Sequence, residues 1–190
     1  MMNHRSLALA LCAGAVLALS ACATRPDVPA KDQQHVSLIH SLNWTTGVTG
    51  KRDGARSSWP LATLRGHKET FPLAQITQCD KVGACAFGVM SAYRTIETWS
   101  PAPGGVGIEL ALAIDIDRSQ HARQPGLDTM MRIPANVQAL RWKGEIKRSF
   151  VLVFGEVQHI DLDYGISFDV CAIRYDAAGQ ALDVCDILYL

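Results

Sequence analysis

Three groups of side chains have the types and spacing that chemistry requires. Asp115 with Asp117, and Asp161 with Asp163 beside His159, are carboxylates two positions apart, which an extended backbone puts on one strand face. Paired carboxylates do acid-base work or bind calcium, so Asp161 and Asp163 are the candidate metal ligands. Alternation alone also puts such pairs on any solvent-facing strand side, and that plainer reading is preferred. The second group is basic: Arg132, Arg141, Lys143, Lys147 and Arg148 surround Trp142. It suits an anionic glycan, lipopolysaccharide or a protein partner, and equally a solvated strand. The third group is Cys79, Cys85, Cys171 and Cys185. Two further tryptophans, Trp44 and Trp59, stand isolated and read as core plugs or ligand platforms.

No catalytic residue is assigned. There is no Gly-x-Ser-x-Gly elbow, no His-Glu-x-x-His helix and no Cys-x-x-Cys. Gly104-Gly105-Val106-Gly107 follows Pro101-Ala102-Pro103 and enters a strand, so it reads as a turn and not a phosphate cradle. No cofactor is expected. Lys plus Arg equals Asp plus Glu at 18 each, so no global charge recruits nucleic acid. Charge is uneven along the chain, with basic residues dense from Arg118 to Arg148 and acidic ones from Val151 to Leu190. Neighbouring strands of opposite sign would pair weakly at the surface.

The leader sets the compartment. Arg5 precedes an uncharged run from Leu7 to Leu17, too short to span a bilayer, and the run ends at Leu19-Ser20-Ala21-Cys22. These four residues resemble the lipobox of bacterial lipoproteins. The resemblance covers the leader alone and implies cleavage before Cys22, acylation of Cys22, and, with Ala23 following, an outer-membrane protein facing the periplasm. Residues 1–21 are then signal peptide, 22–34 a lipidated tether with Pro26 and Pro29, and 35–190 a single domain. Cys12 leaves with the signal. The remaining four cysteines, in an oxidising compartment, read as disulfides.

The elements that must position these groups are strands. Val106, Ile108, Leu110, Leu112, Ile114 and Ile116 alternate with small or acidic residues over Val106–Asp117, and Leu162, Tyr164, Ile166, Phe168 and Val170 alternate over a second segment. Ser149–Val157 holds a continuous apolar run, predicting a central strand covered on both faces. Val36-Ser37-Leu38 predicts a first strand, although His35 and His40 lie in too short a pattern to interpret. Thr45–Gly66 reads as loops around one or two short strands. Arg118–Ile133, with Pro125-Gly126, reads as the longest loop. Lys143-Gly144 turns a hairpin, or Pro134 opens a short helix, and the residues do not separate these. No segment keeps a helical period, so the predicted fold is all-β, an antiparallel sandwich or barrel-like sheet, with at most one short helix.

Turn chemistry predicts the cysteine pairing. Asp80 to Ala84 and Asp176 to Gln180 each begin with aspartate and carry glycine at the fourth position, the pattern of a hairpin with a left-handed bulge residue. Facing Asp80 with Ala84 puts Cys79 opposite Cys85, and facing Asp176 with Gln180 puts Cys171 opposite Cys185, both at non-hydrogen-bonded sites. Cross-linking of the two hairpins to each other is the rival pairing. In the second hairpin Ile166, Phe168, Val170, Leu182, Val184, Leu188 and Leu190 share a face, which puts Cys171–Cys185 on the other, as a surface staple. The expected function is that of a non-enzymatic, lipid-anchored binding or assembly module with a protein or glycan partner in the envelope. The alternatives are an envelope hydrolase or glycan-active enzyme using the Asp-rich strands and His159, and an inhibitor of a secreted enzyme such as lysozyme.

Overall fold

A computed structural model describes residues 36–46, 51–124, 127–176 and 178–187. The leader, Cys22 and the tether lie outside them. The strands are β1 (Val36–Thr46), β2 (Lys51–Pro60), β3 (Lys68–Thr70), β4 (Ala74–Cys79), β5 (Cys85–Ala102), β6 (Gly105–Asp117), β7 (Ser119–Gln124), β8 (Leu127–Arg132), β9 (Trp142–Val153), β10 (Gln158–Asp161) and β11 (Ser167–Arg174). One sheet has the order β10-β11-β1-β2. The other runs β3-β5-β6-β9 with β4 also on β5, and β7 pairs with β8 as a separate hairpin. All these pairings are antiparallel. Among the described residues no helix is long and apolar enough to cross a membrane.

The alternation in β6 is the backbone of the packing. Its six even-numbered aliphatic residues, Val106 to Ile116, are all buried and join Met90, Ala92 and Ile96 of β5 in one core with Leu38 and Leu42 of β1 and Phe168, Val170 and Ala172 of β11. The two sheets therefore share one main core. Pro103 and Gly104 close the β5–β6 hairpin, with φ of 70° at Gly104 supplying the left-handed turn residue.

Several sequence expectations are corrected. The apolar run at 149–153 is not a central strand: β9 is a sheet edge, pairing only with β6, and Val151 is 52% exposed. A continuous apolar run does not say what covers it, and here Gly155, at φ 78°, turns the chain into the other sheet so that no strand lies beyond β9. The alternation through 161–170 does not belong to one strand either. Tyr164 and Gly165 both take positive φ, 61° and 67°, which bends it into the β10–β11 hairpin with Asp161 opposite Ser167. Arg118–Ile133 is the β7–β8 hairpin and not a loop, and Thr45–Gly66 contains the whole of β2. Lys143 and Gly144 lie inside β9, where a side chain at Gly144 would strike the Trp142 ring at 2.5 Å. Residues Gln138–Leu140 hydrogen-bond to the Phe87 backbone, so neither the hairpin nor the short helix forms there.

Both disulfides form as the turn chemistry predicts, Cys79–Cys85 and Cys171–Cys185. The two turns are superposable in their hydrogen bonds. Asp80 N–H donates to Ala84 O at 2.9 Å and its Oδ1 accepts from Val82 and Ala84 N–H; Asp176 does the same with Gln180, Ala178 and Gln180. Beyond the second turn the register stops at Arg174. The β11 edge is already occupied at Ala172, whose carbonyl accepts from Gly155 N–H at 2.9 Å. The returning chain must leave the ladder and cross the outer face of the sheet. Cys171 is consequently fully buried with Ile39, Ile173 and Ile187 in a second small core, while Leu182 and Val184 are exposed. The surface staple is thus a core element, and the predicted apolar face of that hairpin does not form. Leu188 and Leu190 lie outside the described residues.

Candidate functional site

The structure disperses the sequence-predicted basic group. Arg141 and Lys143 meet Asp117 and Asp115 across β6 and β9, at 3.1 and 3.7 Å, and Lys147 meets Glu145 on its own strand at 3.3 Å. The Asp115–Asp117 pair is thereby neutralised by cations. These exposed pairs contribute only tenths of a kcal/mol, about 0.2–1 each. Trp142 packs edge-on against Tyr164, Arg132 lies exposed at the end of β8, and Arg148 sits on the opposite side of β9 from Lys147, by alternation.

The acidic group is also rearranged. Asp163 opens the short 3₁₀ turn at 163–165 and does not join Asp161 on a strand face. Asp169 of β11 takes its place. It lies directly opposite His159 in the β10–β11 ladder and accepts from His159 Nδ1, while Asp161 accepts from Nε2 at 2.9 Å. Asp169 Oδ2 accepts from the Asn43 amide at 2.8 Å, and Asn43 Oδ1 accepts from Ser41 Oγ at 2.7 Å. With a carboxylate within hydrogen-bonding distance of each ring nitrogen, the protonated imidazole is favoured. Its pKa is raised, first by the hydrogen bond to Asp169 and then by that to Asp161. No cluster with metal-holding geometry occurs among the described residues.

A cleft opens where the C-terminal half of β1 and the start of β2 approach β4. It has a volume of about 510 Å³, within the range of small-ligand sites. Its apolar walls are Trp44, Leu73, Ala74, Phe87 and Met131, and its polar groups are Thr46, Asp53, Gln75 and Thr77. Every wall has a structural reason. Trp44 is the last core-facing residue of β1, Ala74 and Thr77 belong to the short strand β4, and Met131 arrives on the β7–β8 hairpin. Of the two isolated tryptophans, Trp44 therefore serves both core and cleft, while Trp59 packs against the core and stacks with His67 at 4.9 Å.

A charged cluster in the interior has almost no signature in the sequence. His40 and Arg94, both 1% exposed, face inward from β1 and β5, and Glu69 of β3 joins them. Glu69 accepts from Arg94 Nη2 at 2.7 Å and lies 2.8 Å from His40 Nε2, which Arg94 Nε approaches at 3.2 Å. Burial lowers the His40 pKa, assisted by the Arg94 charge. Burial would raise that of Glu69, but hydrogen bonds from His40 and Ser57 and the neighbouring charges outweigh it and hold the carboxyl well below its usual range. The only available signal was a polar His40 at an apolar phase of β1. Its partners are 29 and 54 positions further on in the numbering, at Glu69 and Arg94.

No family model, no curated protein and no solved structure matches the chain.

Proposed function

We propose that this is a lipid-anchored cell-envelope protein, held at the outer membrane through Cys22 and facing the periplasm, whose β-domain works by binding. The observation that carries the binding reading is the cleft bounded by Trp44, Leu73, Phe87 and Met131, with Asp53 and Thr46 among its polar groups. An apolar recess with a few polar groups, built on strands, accepts an apolar or aromatic group whose polar end reaches the rim. The same chemistry fits a side chain of a protein partner or an aglycone-like part of an envelope glycan. The side chains that acid-base chemistry would use are engaged with each other: His159 by Asp161 and Asp169, Asp115 and Asp117 by Lys143 and Arg141. Two disulfides fit an oxidising compartment.

Two experiments test the two halves of this reading. The Cys22→Ser variant is expected to leave the membrane fraction, because the acyl chains are the anchor; continued tight association after carbonate washing would refute the anchor. For the cleft, the neutral fluorophore N-phenyl-1-naphthylamine is expected to bind the purified domain saturably at one site and quench tryptophan emission. Leu73→Asp should weaken that binding at least tenfold, since it places a charge on an apolar wall. Unchanged binding in Leu73→Asp would remove the cleft from consideration.

A further inference from the structure

A second recess lies on the opposite side of the sandwich, between the edges of the two sheets. It is lined by Arg148, Ser149 and Phe150 of β9 and by Gln158 and Ile160 of β10, with a volume of about 220 Å³. Both strands are edges. β9 pairs with β6 alone and β10 with β11 alone, and no ladder joins β9 to β10. The seam is closed at one end by the Trp142–Tyr164 ring contact, at 5.7 Å between centroids, and at the other by the bridge between Phe154 and Ala172. Between these ends the backbone polar groups on the facing sides of two strands have no partner strand.

Free sheet edges are templates for an added strand, and proteins that do not use them guard them with charge, brevity or proline. β2 carries Lys51, Arg52, Asp53, Arg56 and a terminal Pro60, β3 has only three residues, and β10 has four. β9 has twelve, and from Ser149 to Val153 it is uncharged. The side chains at the seam also specify what would fill it. Arg148 has no carboxylate partner among the described residues, whereas Arg141, Lys143 and Lys147 each have one. Arg148 and Phe150 are two positions apart and so share one side of the strand, and Ile160 of β10 lines the same recess.

We propose that the seam between β9 and β10 is a docking slot for a short extended segment of a partner protein that carries a carboxylate and, two residues along, an apolar side chain. The main chain of the segment pairs with the β9 edge, its carboxylate meets the Arg148 guanidinium, and its apolar residue covers Phe150 and Ile160. A second copy of this chain is a poorer occupant. Pairing β9 with itself would bring Lys143, Lys147 and Arg148 towards their own copies, like charge against like. This slot is independent of the cleft, on the other side of the domain.

The test uses fluorescein-labelled acetyl-Thr-Glu-Thr-Val-Thr-amide, its lysine-for-glutamate counterpart and a version with proline at the centre, titrated by anisotropy into the full domain. The acidic peptide is expected to bind saturably, the other two at least tenfold more weakly. Arg148→Glu, an exposed position whose change leaves the fold intact, is expected to exchange the preference, favouring the lysine peptide. Hydrogen exchange should slow at 148–150 and 158–160 when the acidic peptide is bound. Leu73→Asp should leave all of this unchanged. The slot is refuted by absence of saturable binding, by Arg148→Glu leaving the preference as it was, or by a concentration-dependent dimer that competes with the peptide, which would give the edge to a second copy.

Discussion

Replacing Arg94 with methionine is expected to cost the domain about 3–5 kcal/mol in equilibrium urea denaturation. The reason is not the worth of the ion pair itself. Arg94 is 1% exposed and its guanidinium is the principal cation facing Glu69, with His40 neutral beside it. Removing it leaves a largely buried carboxylate whose charge has lost its principal compensation. The control follows from the same argument. Arg94→Met combined with Glu69→Leu removes both charges and is expected to recover most of the loss, because apolar replacement of a whole buried pair is often close to neutral. Equal losses in the single and double variants would show that shape, not charge, dominates at this position.

The pH dependence of the native protein follows with its sign. Glu69 has its pKa lowered from 4.5 to about 2, so its contribution is fully present above 4.5 and is lost as pH falls towards 2. His40 is also lowered, from 6.5, so the unfolded chain takes up its proton first and stability falls as pH drops below 6.5. His159 works in the opposite direction. Its pKa is raised, so its contribution is present below 6.5 and is lost as pH rises through the folded value; being half exposed, it is the smaller effect. In Arg94→Met, His40 remains beside Glu69, at 2.8 Å, to carry the compensating charge when protonated. The slope of stability against pH near the ordinary histidine value is then expected to reverse, which denaturation midpoints at a series of pH values would read directly.

The second large effect is expected at Cys171–Cys185. The paired Cys171→Ala and Cys185→Ala substitutions should cost about 3–4 kcal/mol, of which about 3 is the chain-entropy term for a loop of this length and the rest lost packing around a fully buried Cys171. The corresponding change at Cys79 and Cys85 should cost about 2 kcal/mol, since that loop is shorter, with a sequence separation of 6 against 14, and the cysteines lie near the surface. Tertiary position makes the difference larger than loop length alone. With Cys185 released, the segment that covers Ile39 and Ile173 keeps the Arg174–Asp183 pair, the Leu182 N–H bond to Arg174 O and the packing of Ile187, but loses its covalent tie to β11. Hydrogen exchange should therefore rise at 37–41 and 171–175 in the first variant and stay near native in the second. Similar protection in both would mean that the chain beyond Arg174 docks without its disulfide.

Much of the architecture was legible because a period of two has one physical meaning. Val106 to Ile116 alternate, and each aliphatic residue is buried. The two turns were legible for a related reason: Asp80 with Gly83 and Asp176 with Gly179 are local devices whose hydrogen bonds close within five residues; the first turn's register carries Cys79 opposite Cys85, while the second brings Cys171 and Cys185 together without a continuous ladder between them. Patterns without a phase were misread. Phe150 to Phe154 looks the same whether a sheet continues beyond it or ends, and Tyr164 looks like one more apolar position until Gly165 bends the chain. Of the candidate site residues, the four cysteines pair as disulfides, His159 keeps Asp161 and gains Asp169 as a second partner in place of Asp163, and the basic group does not come together. Asp169 was missed as that partner because a cross-strand neighbour is set by the hairpin register, and the hairpin had been read as one strand.

By itself, then, the sequence determined the all-β class, the two disulfides and the expectation of an exported, lipidated chain, all of which rest on residues close together in the numbering. The tertiary structure alone decided which strands are edges, that Cys171–Cys185 is core, that His40, Glu69 and Arg94 meet inside, and that a cleft and a seam exist. Each of these depends on which distant segments become neighbours. The physical reason is that local chemistry sets turns and faces, whereas burial, charge compensation and open edges belong to pairs of elements, and no property of one element alone contains them.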